Sequence, residues 1–199
     1  MNLTVLAAAG RTGLAITRQA LERGHTVTAI ARHPERITLP GLRTVAGDVT
    51  DPAGIAAAID ADSVVLSALG AEQAGILLVG AKAVVAASPR RVIWLGTYGT
   101  GVSAAVAGDA ASVLVTLLGD RLADKVEADN LVLAAGGTVF HAGVLSDEPV
   151  SPSRRTVGLD AAPPFDLAAK VSRESVAAAM LDEAEAPRFP RAVAVPLTA

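Results

Sequence analysis

Residues 2–24 read NLTVLAAAGRTGLAITRQALERG, and the fold turns on how that stretch is parsed. Its first half, NLTVLAA, is a short apolar run with β-branched residues, the pattern of a buried strand. Its second half, LAITRQALERG, repeats apolar residues at helical spacing and stops at Gly24, where a helix C-terminus favours glycine. Between them lies Ala7-Ala8-Ala9-Gly10-Arg11-Thr12-Gly13, a tight connection too short for anything but a turn.

The same alternation continues along the chain. TVTAIA is a second strand and LRTVAG a third, followed by Asp51-Pro52, a helix-start signal leading into AGIAAAID. SVVLSAL reads as a buried strand, QAGILLVGAKAVVAAS as a helix and RRVIWLG as the next strand. After Gly96 the pattern loosens. GTYGTGVSAAVAGDAAS reads as a loop or lid, followed by a helical stretch from about Val113 to Ala135, and TVFHAG is a sixth strand. Residues 146–170, with prolines at 149, 152, 163 and 164, read as a long excursion over one face. A helix, ESVAAAMLDEAEA, and a last strand, AVAVPL, close the chain. Strands alternating with helices predict one α/β domain over 1–199: a doubly wound parallel sheet in three layers. Segments 99–111 and 146–170 are its expected covering segments.

Composition removes several chemistries. The 199 residues are 51% hydrophobic and 19% charged, with a formal net charge of -3. There is no Cys, one Tyr (Tyr98), one Trp (Trp94), three Lys and three His (His25, His33, His141). Thiol nucleophiles, disulfides and cysteine metal sites are excluded. Scattered histidines with no i, i+4 pair argue against a dedicated zinc site, so no metal is expected. Slight acidity without a dense basic patch argues against nucleic acid as a ligand. The longest apolar run, ILLVGAKAVVAA, is interrupted by Lys82, so no membrane span is expected, and the N-terminus shows no basic leader. These features predict a cytoplasmic protein with a small-molecule partner.

In a parallel sheet of this kind the ligand crevice lies beyond the C-terminal ends of the strands, at the point where strand order reverses. The first turn there has the spacing A-x-x-G-x-x-G. A glycine turn before a first helix brings a dinucleotide's pyrophosphate to the helix N-terminal amides, with Gly10 giving close approach and Gly13 helix packing. The tight-turn glycine is replaced by Ala7, which would cost about 1–2 kcal/mol if that position needs a positive φ. An ordinary strand-to-helix turn is the alternative. The second strand ends in Ala31-Arg32-His33, with no Asp or Glu to receive a ribose 2′-hydroxyl. Arg32, with Arg11, can clamp a 2′-phosphate instead, or both can be solvated. Asp48, after the third strand, can accept from an adenine amino group or cap its own turn. Ser67-Ala68-Leu69-Gly70, after the fourth, are small enough to lie against a ribose. Thr97 and Tyr98, after the fifth, are placed to donate to a substrate carbonyl or a carboxamide, and Tyr98 can also stack or pack. Lys125 can contact a ribose or stand in solvent, and His141 is the one histidine that topology puts near the crevice.

Taken together, AAAGRTG, AIARHPER, GDVTD, SALG, RRVIWLGTYGTG, GVLSDEP and KVSRESVAAAML resemble, in order and spacing, the atypical short-chain dehydrogenases/reductases. The branch is the NAD(P)H-binding one that includes flavin reductase (biliverdin-IXβ reductase) and nitrogen-metabolite-regulator-like proteins. The resemblance covers nearly the whole chain and implies a Rossmann-like fold with NADP(H) as cofactor. It implies pyrophosphate binding by Gly10, Arg11, Thr12 and Gly13, 2′-phosphate binding by Arg32, and adenine contact at Asp48 and Val49. It further implies ribose contact along Ser67, Ala68, Leu69 and Gly70, with Thr97 near the nicotinamide. Departures are Ala7 and Ala9 for the usual Gly and Thr, Gly96 for a small hydroxyl residue, and His141-Ala142 for Arg-Pro or Pro-Pro.

Better-known members of the superfamily use Tyr-x-x-x-Lys. Here the residue four beyond Tyr98 is Val102, and the one four before Lys125 is Arg121. The expected function is therefore NADPH-dependent hydride transfer to a planar acceptor of flavin, quinone or tetrapyrrole type, without that pair. Thr97, Tyr98 and His141 are its candidate catalytic residues. The alternatives are a non-catalytic NADP(H)-sensing binder and an interaction module that has lost the nucleotide.

Overall fold

The computed structural model describes residues 1–70 and 73–198; Ala71, Glu72 and Ala199 lie outside the description. The first strand, β1 (Asn2–Leu6), stands in the middle of an eight-stranded sheet and is followed by α1 (Arg11–Glu22). The chain winds outward through β2 (Thr26–Ala31) and β3 (Arg43–Ala46), then α2 (Pro52–Ala58) carries it back to β4 (Val64–Ser67) on the other side of β1. From there α3 (Ile76–Ala86), β5 (Arg91–Thr97), α4 (Ala104–Ala107), α5 (Ala110–Leu118), α6 (Arg121–Ala134) and β6 (Thr138–Ala142) follow. The order is β3-β2-β1-β4-β5-β6-β10-β8, with β10 spanning Val193–Leu197 and β8 Arg155–Gly158. All pairs are parallel except β10 with β8. The reversal point lies between β1 and β4, so the crevice opens where Leu6 faces Ser67.

Side chains alternate across the strands and feed two cores. Ile93 packs with α1 and α7 (Arg173–Glu185) on one face, while its neighbour Trp94 packs with α2, α3 and α6 on the other. Trp94 and Phe140 are the bulkiest fully buried side chains. Truncating either to alanine would cost about 3–5 kcal/mol. The expected three-layer, doubly wound α/β fold is thus present.

Two segments differ from the sequence reading. The helical stretch 113–135 is two helices, broken at Gly119, whose φ of 51° an L side chain rarely adopts. The excursion 146–170 is not without regular structure. It carries β8, which extends the sheet antiparallel to β10, and it is bounded by a small parallel pair, β7 (Val144–Ser146) with β9 (Lys170–Ser172). Residues 99–111 contain a 3-10 turn and α4 as well as loop.

Candidate functional site

The first turn is shaped by two contacts. Ala7 adopts a left-handed backbone with φ 60°, and its carbonyl accepts from the Gly10 amide at 3.0 Å. A side chain on Gly13 would run into that same carbonyl and the Ala8 Cα, so glycine alone lets α1 sit this close to the end of β1. Gly10 is the extended N-cap residue of α1, with no side chain capping the helix and no acidic residue in its first turn. The exposed N-terminus of α1 therefore offers amides and a positive dipole end with no competing carboxylate on that turn. Arg11 is exposed and its Nη1 donates to Asp147 at 2.6 Å; Thr12 is buried.

At the end of β2, Arg32 is exposed and makes no hydrogen bond or ion pair among the described residues. Asp48 lies close enough for the Arg32 charge to act on it. Its Oδ1 accepts from the Thr50 amide at 2.9 Å and hydroxyl at 2.8 Å, and these bonds, then Arg32, hold the carboxyl below the usual carboxylate range. Its side chain thus closes its own turn, with Oδ2 unpartnered among the described residues. Val49 is buried, its methyl groups against Gly80 of α3. At the end of β4, Ser67 is fully buried and its hydroxyl accepts from the Leu69 amide, while Ala68 continues the ladder by donating to the Leu6 carbonyl. Gly70 is exposed with open space beside it.

Thr97 ends β5 half-buried, its hydroxyl unpartnered among the described residues. Tyr98 is buried. Its hydroxyl donates to the Pro163 carbonyl at 2.5 Å and its ring lies 5.4 Å from that of Phe165, so it ties down the excursion; burial pushes its phenol pKa up. Phe165 in turn donates its amide to the Ala107 carbonyl at 3.2 Å, which joins the two covering segments to each other. Lys125 on α6 is half-buried, and burial lowers its pKa despite the opposing pull of Asp129. His141 stands opposite Gly96 in the β5–β6 register, 1% exposed, with Nδ1 2.7 Å from Ser103 Oγ and Nε2 3.1 Å from Asp129 Oδ2. The structure thus brings Thr97 to the crevice rim and leaves His141 behind it.

Sequence reasoning missed several residues here. Asp124 of α6 accepts from the Leu77 and Leu78 amides at 3.0 and 2.8 Å, capping α3 from a neighbouring helix. Asp129 and Ser103 flank His141. Asp147 bonds Arg11 and, at 2.6 Å, Arg173, and the Arg11 bond is the main cause that holds its carboxyl below the usual range. The available signal was positional: Asp124, Ala128 and Val132 share one helical stripe, and a carboxylate in an apolar stripe needs a partner.

Two clefts flank the excursion. One of about 220 Å³ lies beside Tyr98, Gly143, Phe165, Val171 and Val195, with Arg155 and Lys170 at its edge. Another of about 470 Å³ lies between α7 and β8, lined by Phe140, Phe189 and three arginines. Among the described residues no group of three or more His, Asp or Glu could hold a metal, and no helix is long and apolar enough to cross a membrane.

A nicotinamide dinucleotide suits these residues. The side-chain-free approach at Gly13, the uncapped α1 N-terminus and the exposed Arg32, without a partner among the described residues, are what a pyrophosphate and a 2′-phosphate require. The model of the NAD(P)H-binding family matches residues 7–187. The chain belongs to the NAD(P)H-binding family. Within it, the likeness to the short-chain dehydrogenase/reductase group read from the motifs is borne out in fold. Anaerobilin reductase ChuY of Escherichia coli O157:H7 is 19% identical, with TM-score 0.83, covering 100% of this chain and 97% of that one. A candidate exported protein of Burkholderia pseudomallei is 26% identical, with TM-score 0.80, over 99% of both chains. A short-chain dehydrogenase/reductase of Veillonella parvula in complex with NADP is 22% identical, with TM-score 0.76, covering 98% of this chain and 94% of that one. No curated protein sequence matches significantly.

Proposed function

We propose that this family member is an NADPH-dependent reductase that transfers a hydride to a planar, conjugated small molecule. The observation that carries the reading is an uncapped, acid-free α1 N-terminus together with an Arg32 at the end of β2 that has no hydrogen-bond or ion-pair partner among the described residues. In this reading Gly10, Arg11, Thr12 and Gly13 hold the pyrophosphate and Arg32 the 2′-phosphate. Asp48 and Val49 border the adenine; Ala68, Leu69, Gly70 and Lys125 border the riboses, with the buried Ser67 shaping the turn beneath them. The bound nucleotide supplies the hydride. Thr97, whose hydroxyl is free to donate, orients the carboxamide or the acceptor.

The proton comes from solvent. Tyr98 has its hydroxyl committed to Pro163 and no lysine four residues on, and His141 is enclosed between Ser103 and Asp129. An acceptor that takes hydride into a conjugated system needs no positioned acid to begin the step. The apolar cleft beside Tyr98 and Phe165 suits one edge of a flat ring. That ChuY is an anaerobilin reductase supports an acceptor of the same broad class. As a consumer of NADPH the protein is assigned to the cytoplasm.

The commitment of both Tyr98 and His141 to structural bonds favours one other reading, a binder that senses the NADP(H) ratio without turnover. Purified protein incubated with NADPH deuterated at the transferable position and with flavin, quinone and tetrapyrrole acceptors separates the two. Acceptor-dependent oxidation slowed by the deuterium is expected, with the label retained in the product where a tetrapyrrole takes the hydride on carbon. Binding of NADPH without oxidation by any of the three would replace the reductase with the sensor.

A further inference from the structure

We propose that His141 is a positioning residue, which holds the 97–103 turn, and with it the Thr97 hydroxyl, from inside the sheet. The turn is soft by composition: Gly99 and Gly101 both have left-handed backbones, with φ of 94° and 52°. Its conformation is kept by a chain of short bonds. Asp129 Oδ2 lies 3.1 Å from His141 Nε2, and Nδ1 lies 2.7 Å from Ser103 Oγ. Ser103 Oγ accepts from the Gly99 amide and donates to the Thr100 carbonyl, each at 2.9 Å. Thr100 Oγ1 donates to the Thr97 carbonyl at 2.8 Å. The bonds of Ser103 and Thr100 lie within the turn; His141 ties that set to the sheet, and Asp129 fixes the ring from α6.

Room for the imidazole comes from Gly96. A Cβ there would stand 2.8 Å from His141 Cδ2 and 2.9 Å from Asp129 Oδ2, both too close. Gly96, Asp129 and His141 are therefore one interlocked set. The set contains the residue types of a nucleophilic triad, but Ser103 is 0% exposed and its hydroxyl already both donates and accepts inside the turn. It has no path to a substrate and serves to hold the turn.

The role assigned to Thr97 rests on the reductase reading above; the anchoring of the turn does not. The test follows Gly99 amide hydrogen exchange together with NADPH oxidation in wild type, His141→Ala, His141→Gln and Ser103→Ala. His141→Ala and Ser103→Ala are expected to speed Gly99 exchange about tenfold, the loss of roughly one hydrogen bond. They should lower kcat about tenfold while KM for NADPH stays within about twofold. His141→Gln, whose amide can still bridge, should restore most of both. Gly96→Ser should destabilise the wild type more than it destabilises His141→Ala, where only the Asp129 contact remains. Unchanged Gly99 exchange, or faster exchange with kcat unmoved, would overturn the proposal. If His141→Ala does not fold, the double variant His141→Phe/Asp129→Leu, which removes both buried polar partners together and leaves the bonds within the turn, carries the same two readouts. Absence of wild-type turnover would defeat the reductase reading, while the exchange data would still decide whether His141 anchors the turn.

Discussion

Gly13 lies directly against the carbonyl of Ala7, so closely that a Cβ would overlap it, and the same Ala7 holds a left-handed φ of 60°. One residue at the glycine turn is thus irreplaceable and the residue it packs against is strained. Ala7→Gly is expected to relieve the strain and raise stability by about 1 kcal/mol, a gain of about 2–4 °C in Tm. Gly13→Ala should do the reverse, by about 3 kcal/mol, because backbone rather than a movable side chain fills the space. Thermal unfolding of the two variants checks both signs.

Arg32 stands at the end of β2 with no partner among the described residues. A guanidinium bonded to a 2′-phosphate contributes about 1.5–3 kcal/mol. Arg32→Ala should therefore weaken NADPH binding about ten- to a hundredfold and leave NADH affinity unchanged. Equal losses for both nucleotides would place the residue elsewhere in the site.

The first helix, its turn and the alternation of strands and helices were legible in the sequence because they depend on local signals: Gly10 and Gly13 at fixed spacing, and apolar periods that change from strand to helix. The break at Gly119 was also written locally, but a continuous apolar pattern on either side masked it. β8 was not legible. Its four residues lie among prolines, and they become a strand only because β10, some forty residues on, offers an open edge. Asp129 and Ser103 were hidden for the same reason: charged and hydroxyl residues on a helix or loop look solvated until tertiary packing encloses them.

Asp147 bonds both Arg11 and Arg173 on the surface. Exposed pairs add little stability, so Asp147→Asn should leave Tm within about 1 °C. It should tighten NADPH binding about two- to threefold by freeing Arg11 for phosphate. The folded carboxyl titrates below its usual range, held there first by Arg11. Its contacts are therefore complete above the unfolded carboxylate value and are lost as pH falls through the folded one. The gap between wild type and Asp147→Asn in a pH series of NADPH titrations should close in that acidic window.

Lys125 carries the opposite sign. Burial lowers its folded pKa below that of the unfolded chain, so the unfolded state holds more protons between the two values and stability rises with pH across that alkaline window. Lys125→Met removes this dependence and should raise Tm at neutral pH by about 2 °C, while weakening NADPH about tenfold through loss of the proposed ribose contact. Denaturation curves over pH, with parallel nucleotide titrations, test the trade.

In the proposed reductase this crevice holds NADPH in preference to NADH. Calorimetric titration of the wild-type protein with each nucleotide tests it most directly. NADPH is expected to bind at one site per chain and more tightly than NADH by at least about tenfold, and at about 100 times its Kd to stabilise the fold by about 2.7 kcal/mol. No heat and no thermal shift with either nucleotide at millimolar concentration, or tighter binding of NADH, would contradict the account.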